Sequence, residues 1–191
     1  MNFDEAYYKK FYSNEQTRAT TPAEQARQAE FIAAYLKYLD VPVRRIVDLG
    51  CGMGVLLRSF SEAFGNAQCH GVEVSEYLCE RFGWAQGSVL DYKDEPFDLV
   101  ICTDVLGYLT DDECERAIEN IAALTRHAAH ISVITAQDMD ICDVEHTDMR
   151  QHMRPVDWYR ERLNQWFTSV GGGLFLKNPL EVAVWQLERE Q

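Results

Sequence analysis

The chain has 191 residues, 47% of them apolar and 26% charged, a mix that supports one folded domain with a core of its own. Its formal net charge of −13 repels polyanions at long range and argues against nucleic acid as a partner. Its longest apolar runs, such as Leu99 to Cys102 and Ile131 to Ile134, fall far short of the roughly 20 residues that span a membrane, so no membrane association is expected.

The acidic start, Met1 to Glu5, carries no secretory signal. The aromatic run Tyr7-Tyr8-Lys9-Lys10-Phe11-Tyr12 follows, then Arg18 and Thr20. Thr21-Pro22-Ala23-Glu24 is a capping box with proline at the first helical position. The helix it opens has Phe31, Ile32, Tyr35, Leu36 and Leu39 as one apolar stripe, and Pro42 marks its end. Apolar runs at Ile46 to Leu49, His70 to Val74, Phe97 to Cys102 and His130 to Thr135 read as strands. Their unbroken apolar character suits parallel strands covered on both faces. Helices are expected between them at Leu56 to Phe64 and Glu76 to Phe82. Another runs from the capping box Thr110-Asp111-Asp112-Glu113 to about Arg126.

Beyond this, a helix is expected from Pro155 to about Val170, ended by Gly171-Gly172-Gly173. The runs Leu174 to Leu176 and Glu181 to Leu187 lie too close for a parallel crossover and should pair antiparallel. The expected fold is one α/β domain over residues 1–191, a doubly wound, mostly parallel sheet with a C-terminal antiparallel strand pair. Cys51, Cys69, Cys79, Cys102, Cys114 and Cys142 are scattered, with no Cys-x-x-Cys pair. Free thiols, no metal and a reducing, cytoplasmic setting are the expectation.

The chemistry concentrates in Val47-Asp48-Leu49-Gly50-Cys51-Gly52-Met53-Gly54, between a strand and a helix. Glycines there allow a tight turn and close approach of a ligand to the backbone. Glu73 ends the next strand, where a carboxylate can accept hydrogen bonds from ribose hydroxyls. A dinucleotide and S-adenosylmethionine both fit this pairing. Val55 stands where a dinucleotide fingerprint needs its third glycine, and Asp48 disfavours a nearby pyrophosphate. Both weigh toward S-adenosylmethionine.

Over roughly residues 20 to 136 the chain resembles the class I S-adenosylmethionine-dependent methyltransferases. Val47 to Gly54 is similar to their first motif and Gly71-Val72-Glu73-Val74-Ser75 to their second. Gly87-Ser88-Val89-Leu90-Asp91 stands at the adenine-binding motif, and Pro96 to Leu106 resembles the fourth-strand motif. The resemblance implies a seven-stranded sheet with S-adenosyl-L-methionine as cofactor. It places Gly50, Cys51 and Gly52 against the methionine moiety, Glu73 on the ribose, and Val74 and Val89 about the adenine. It puts the carbonyls of Cys102 and Thr103 near the ammonium and sulfonium. Ser88 replaces the usual acid after the adenine-motif glycine, and Tyr108 stands where many relatives carry a histidine. The N-terminal segment, residues 1–20, would close over the cofactor, with Tyr12 facing the sulfonium and Arg18 the carboxylate.

A base is needed only if the acceptor must lose a proton. The candidates are Asp104, Tyr108, His146 and His152. The last two lie in residues 137–154, a charged, irregular stretch long enough to serve as a substrate lid. With no inserted substrate domain, a small-molecule acceptor methylated on oxygen or nitrogen is the first expectation, and a protein side chain the second. An anionic acceptor could be held by Arg150, His152, Arg154, Arg160 and Arg162. A non-catalytic cofactor-binding module is the rival reading, and a site plugged by Tyr8 or Tyr12 would favour it. Oligomeric state is not legible.

Overall fold

The computed structural model describes residues 5–8, 20–143 and 147–185. The elements in chain order are α1 (Glu5–Tyr8), α2 (Pro22–Tyr38), β1 (Arg45–Leu49), α3 (Val55–Phe64), β2 (Gln68–Glu73), α4 (Glu76–Phe82) and β3 (Ala85–Gln86). Then follow β4 (Phe97–Thr103), α5 (Asp111–Leu124), β5 (Thr125–Ser132), α6 (Val156–Leu163), β6 (Phe167–Ser169) and β7 (Leu174–Lys177). Two 3₁₀ turns, Leu106–Tyr108 and Ala136–Asp140, follow β4 and β5.

The seven strands lie in the order β3-β2-β1-β4-β5-β7-β6. The first five run parallel. β7 is antiparallel to β5 and to β6. Chain direction across the sheet reverses between β1 and β4, and in such sheets the crevice beyond the strands' carboxyl ends is where ligands bind. The expected fold class is the observed one.

Side-chain alternation along the strands feeds two apolar layers. Val47, Leu49, Val100 and Cys102 pack toward α5 and α6, while Ile46, Leu99 and Ile101 pack toward α2 and α3. Both capping boxes form. Thr21 N donates to Glu24 Oε2 at 2.7 Å and Glu24 N to Thr21 Oγ1 at 3.2 Å; Thr110 N donates to Glu113 Oε2 at 2.9 Å. Within α2, Ala29, Ile32, Ala33 and Leu36 are buried, but Phe31 turns outward. At the amino ends of the strands, Asp98 Oδ2 accepts the backbone N–H groups of Arg44 and Arg45, and its Oδ1 takes the Arg126 guanidinium at 2.6 Å. One carboxylate thereby ties β1, β4 and β5 together at the end opposite the crevice.

The C-terminal region departs from expectation in placement. The helix after Pro155 stops at Leu163, and Phe167–Ser169 forms β6. The antiparallel partner of β7 is therefore β6, paired Phe167 to Lys177, and Glu181 to Trp185 is not strand. Residues 186 and 187 lie outside the described set. Gly171, Gly172 and Gly173 have φ of 86°, 62° and 72°, so they make the hairpin turn and do not end a helix. Phe167 is buried against Phe175, and that tertiary contact overrides helix propensity. The fifth strand also begins earlier than expected, at Thr125.

Candidate active site

The turn after β1 is fixed from three sides. The N–H groups of Gly50 and Cys51 donate to the carbonyl of Val72 at 2.8 and 3.1 Å. Gly50 has φ 84°, and a Cβ there would stand 2.4 Å from Val105 Cγ2. Behind the turn lies Trp84, whose Nε1–H donates to the carbonyl of Gly52 at 3.0 Å. A Cβ on Gly54 or Gly71 would meet the Trp84 ring at 2.3 or 2.5 Å. Trp84 thus sets the shape of the turn, a role for which the sequence carries no local signal.

Glu73 is buried at the carboxyl end of β2. Its Oε2 accepts the Gly52 N–H at 2.9 Å, and its Oε1 accepts those of Val74 and Ser75 at 2.9 and 3.0 Å. The Tyr8 hydroxyl donates to Oε1 at 3.3 Å, so α1 reaches the same carboxylate. These bonds satisfy a buried charge and aim it into the crevice.

The crevice has two lobes. One, of about 310 Å³, is lined by Tyr8, Glu73, Val74, Gly87, Ser88 and Val89, among others. Val74 is 48% exposed, so this large aliphatic side chain is presented to the lobe and not to the core. Val89 is buried beneath the lobe surface, and Ser88 Oγ accepts the Leu90 N–H at 3.2 Å. The other lobe, of about 390 Å³, is lined by Thr20, Gln25, Asp48, Cys51, Met53, Ile134, Thr147, Asp148 and Gln151, among others. Gly50, Gly52, Thr103, Asp104 and Tyr108 belong to both lobes and mark their junction.

The electrostatics are those of acids with few counter-charges. Asp48 is 2% exposed and its Oδ1 has no hydrogen-bond partner; burial, and then the charge of Glu73, push its carboxyl up to about 8. Asp104 sits at φ 57°, a strained conformation for a residue other than glycine. Its side chain is exposed to solvent at the cavity mouth, while the protein packed around it pushes its carboxyl up to about 6 by desolvation. Asp148 is different. Burial would raise it, but Arg150 outweighs this with Nε 2.8 Å from Oδ1 and Nη2 2.7 Å from Oδ2, and its carboxyl stays below the usual range. The Tyr108 hydroxyl also donates to Asp148 Oδ2, at 3.2 Å.

Of the residues expected at the site, Asp48, Gly50, Cys51, Gly52, Glu73, Val74, Ser88, Val89, Thr103, Asp104 and Tyr108 line the two lobes. The side chain of Cys102 is fully buried in the core and lines neither lobe. His152 is exposed and stands outside both linings, its backbone N–H donating to Gly107. Tyr12, Arg18 and His146 lie outside the described residues. The expected anion-holding arginines do not meet at the crevice. Arg154 is buried and gives its guanidinium to Asp111, to Tyr159 and to the carbonyls of Leu106 and Leu109. Arg162 pairs with Glu115 and stacks on Trp158, Arg160 pairs with Asp157, and Arg150 holds Asp148. Near-neighbour carboxylates and ring faces consume these charges. Among the described residues no group of three His, Cys, Asp or Glu is placed to hold a metal.

Comparison with known proteins gives a consistent picture. A family model described as a methyltransferase domain matches residues 22–173. The probable methyltransferase ltbC of Aspergillus luteorubrus is 28% identical over 122 residues, which cover 53% of this chain and 41% of that protein. The chain thus spans less than half the length of this curated relative. Among solved structures, the plantazolicin methyltransferase BpumL in complex with SAH (S-adenosylhomocysteine) superposes with a TM-score of 0.65 at 15% identity, over 85% of this chain and 70% of that one. The magnesium protoporphyrin IX methyltransferase ChlM of Synechocystis PCC 6803, with bound SAH, superposes with a TM-score of 0.57 at 16% identity, over 82% and 84%. At these identities the likeness is one of fold.

Proposed function

This chain belongs to the methyltransferase-domain family, with the class I fold, and we propose that it transfers a methyl group from S-adenosylmethionine to a small-molecule acceptor. The observation that carries the reading is the Glu73 carboxylate, held by three backbone N–H groups at a lobe that the exposed Val74 also lines. A paired, buried carboxylate suits ribose hydroxyls, and an aliphatic face suits a purine.

The residues present fit the donor. Asp48 Oδ1 is an orphaned buried acceptor beside the glycine turn, and an ammonium group there would satisfy it. The Cβ-free surface at Gly50 and Gly52 leaves room for a ligand against the backbone. When bound, S-adenosylmethionine supplies the electrophilic methyl carbon on a sulfonium. The protein's part is alignment and exclusion of water. Glu73, Val74, Ser88 and Val89 would hold the nucleoside end, and Asp48, Gly50, Cys51 and Gly52 the amino-acid end. The carbonyls of Cys102 and Thr103 would lie toward the sulfonium. Tyr12, toward the sulfonium, and Arg18, toward the carboxylate, stay in the proposal as lid residues.

The acceptor would enter the larger lobe, whose outer wall includes Thr147, Asp148 and Gln151 from the 137–154 stretch proposed as a substrate lid. Asp104 and Tyr108 at the junction are the preferred base candidates, with His146 retained and His152 placed second by its position. No lysine, arginine or histidine is among the described lining residues, which supports a neutral or cationic acceptor over an anionic one. Net charge supports a partner other than nucleic acid. No helix of the described residues is long and apolar enough to cross a membrane, and the six unpaired cysteines support a reducing, cytoplasmic setting.

The test is thermal unfolding with S-adenosylmethionine, SAH or NAD added separately. Stabilisation by the first two and not by NAD is expected. Absence of any shift with either at millimolar concentration would overturn the reading.

A further inference from the structure

We propose that the methyl acceptor is an amine, received as an ammonium cation by Asp104 at the junction of the two lobes; this rests on the methyltransferase reading above.

Glu73 is satisfied by backbone N–H groups, and Asp148 by Arg150 and Tyr108. Glu113 is spent on the Thr110 cap. Among the described lining residues, two carboxylates remain without a side-chain partner. Asp48, almost fully buried, lines the larger lobe, and its Oδ1 has no donor among the described residues. Asp104, exposed, has no ion pair or side-chain hydrogen bond among the described residues, and its backbone, at positive φ, donates its N–H to the carbonyl of Ser132. A ligand at the junction meets an exposed carboxylate with no basic side chain among the described lining residues, a setting that favours donors and positive charge.

The donor carries one ammonium, and the buried Asp48 beside the glycine turn is its match. Asp104 lies farther along, where both lobes meet and where donor and acceptor must come together. A hydroxyl acceptor would satisfy at most one of its lone pairs. A carboxylate or phosphate acceptor would meet like charge with no basic side chain among the described lining residues to offset it.

The chemistry balances with the groups named. The ammonium would pass one proton to the Asp104 carboxylate, leaving a neutral amine. The freed nitrogen lone pair forms the N–C bond. The S–C bond breaks with its electron pair left on sulfur, giving a neutral thioether and a methylammonium product.

The experiment compares the wild type with Asp104→Asn, since asparagine is isosteric and tolerates a left-handed backbone. SAH-loaded protein is titrated calorimetrically with benzylamine and cyclohexylamine, and with benzyl alcohol, cyclohexanol and benzoate as matched controls. The amines should bind at least tenfold more tightly than the alcohols, with benzoate weakest. Asp104→Asn should abolish that preference while SAH affinity stays within threefold, and Asp104→Gly should act alike. Radiolabelled methyl from S-adenosylmethionine should appear on the amine nitrogen. Amines binding no better than alcohols, with SAH binding intact, would overturn the inference and leave the methyltransferase reading standing. Asp104→Asn weakening S-adenosylmethionine but not SAH, with amine binding unchanged, would also overturn it by assigning Asp104 to the sulfonium. Failure of the wild type to bind SAH at all would overturn both.

Discussion

Glu73 Oε2 accepts the backbone N–H of Gly52 at 2.9 Å, so the carboxylate that ends β2 locks the turn that follows β1. One side chain therefore has two duties, shaping the glycine turn and facing the lobe. Glu73→Gln keeps the size but offers one acceptor oxygen where two are used. The expected loss is about 2 kcal/mol of SAH binding, roughly thirtyfold in Kd by calorimetry. A change under threefold would show that the lobe does not use this carboxylate.

Gly50 cannot be replaced cheaply. Its positive φ disfavours any L side chain, and a Cβ would also collide with Val105. Gly50→Ala should lower stability by about 2 kcal/mol and remove detectable SAH binding. Adding Val105→Ala removes the collision but not the backbone strain, so only part of the stability should return in urea unfolding. Full recovery would mean that sterics alone governed the turn.

Asp48 makes a pH-dependent prediction. Its carboxyl is raised to about 8, above its ordinary value of 3.8, so the folded state holds a proton that the unfolded state releases across that interval. Its contribution is fully present below about pH 4 and is lost as pH rises through 8. Asp48→Asn does not titrate. The variant should gain on the wild type from pH 4 to 8, by about 1–3 kcal/mol at pH 8, in denaturant unfolding at each pH. It should also bind S-adenosylmethionine and SAH more weakly, since both bring an ammonium. Stability gained together with binding lost is the expected pattern for a strained functional group.

Arg154 is buried and bonds to two carbonyls of the Leu106–Leu109 turn, which carries Tyr108 to the site. Arg154→Lys keeps the charge but cannot reach Asp111, Tyr159 and both carbonyls with one ammonium. It should cost about 2–4 kcal/mol in stability, measured by urea unfolding. Arg162→Lys, at a half-exposed pair with Glu115, should cost under about 1 kcal/mol. Equal effects of the two would mean that burial is not what separates them.

Much of this was readable in the chain because it is local. The two capping boxes, the glycine turn and an acid ending β2 each rest on neighbours within a few residues, and each stands where the pattern put it; the parallel strands follow in kind, with β5 shifted to begin at Thr125. Apolar character alone does not say what covers a side chain, and only the structure shows that Val74 is exposed to the lobe and not packed in the core. The C-terminal pair was expected in kind and displaced in position. Whether Phe167 extends a helix or starts a strand depends on Phe175, which the chain brings to it only through the hairpin.

By itself, then, the sequence determined the sheet's class, the glycine turn and the acid that faces it, since periodicity and backbone chemistry act over short range. Only the tertiary structure decided that Trp84 wedges behind the turn, that the arginines of the C-terminal half are spent on carboxylates and carbonyls, and that Asp104 stands unpaired where two lobes meet. The physical reason is that a charge has no fixed meaning until its partners are known. Those partners are assembled from elements tens of residues apart.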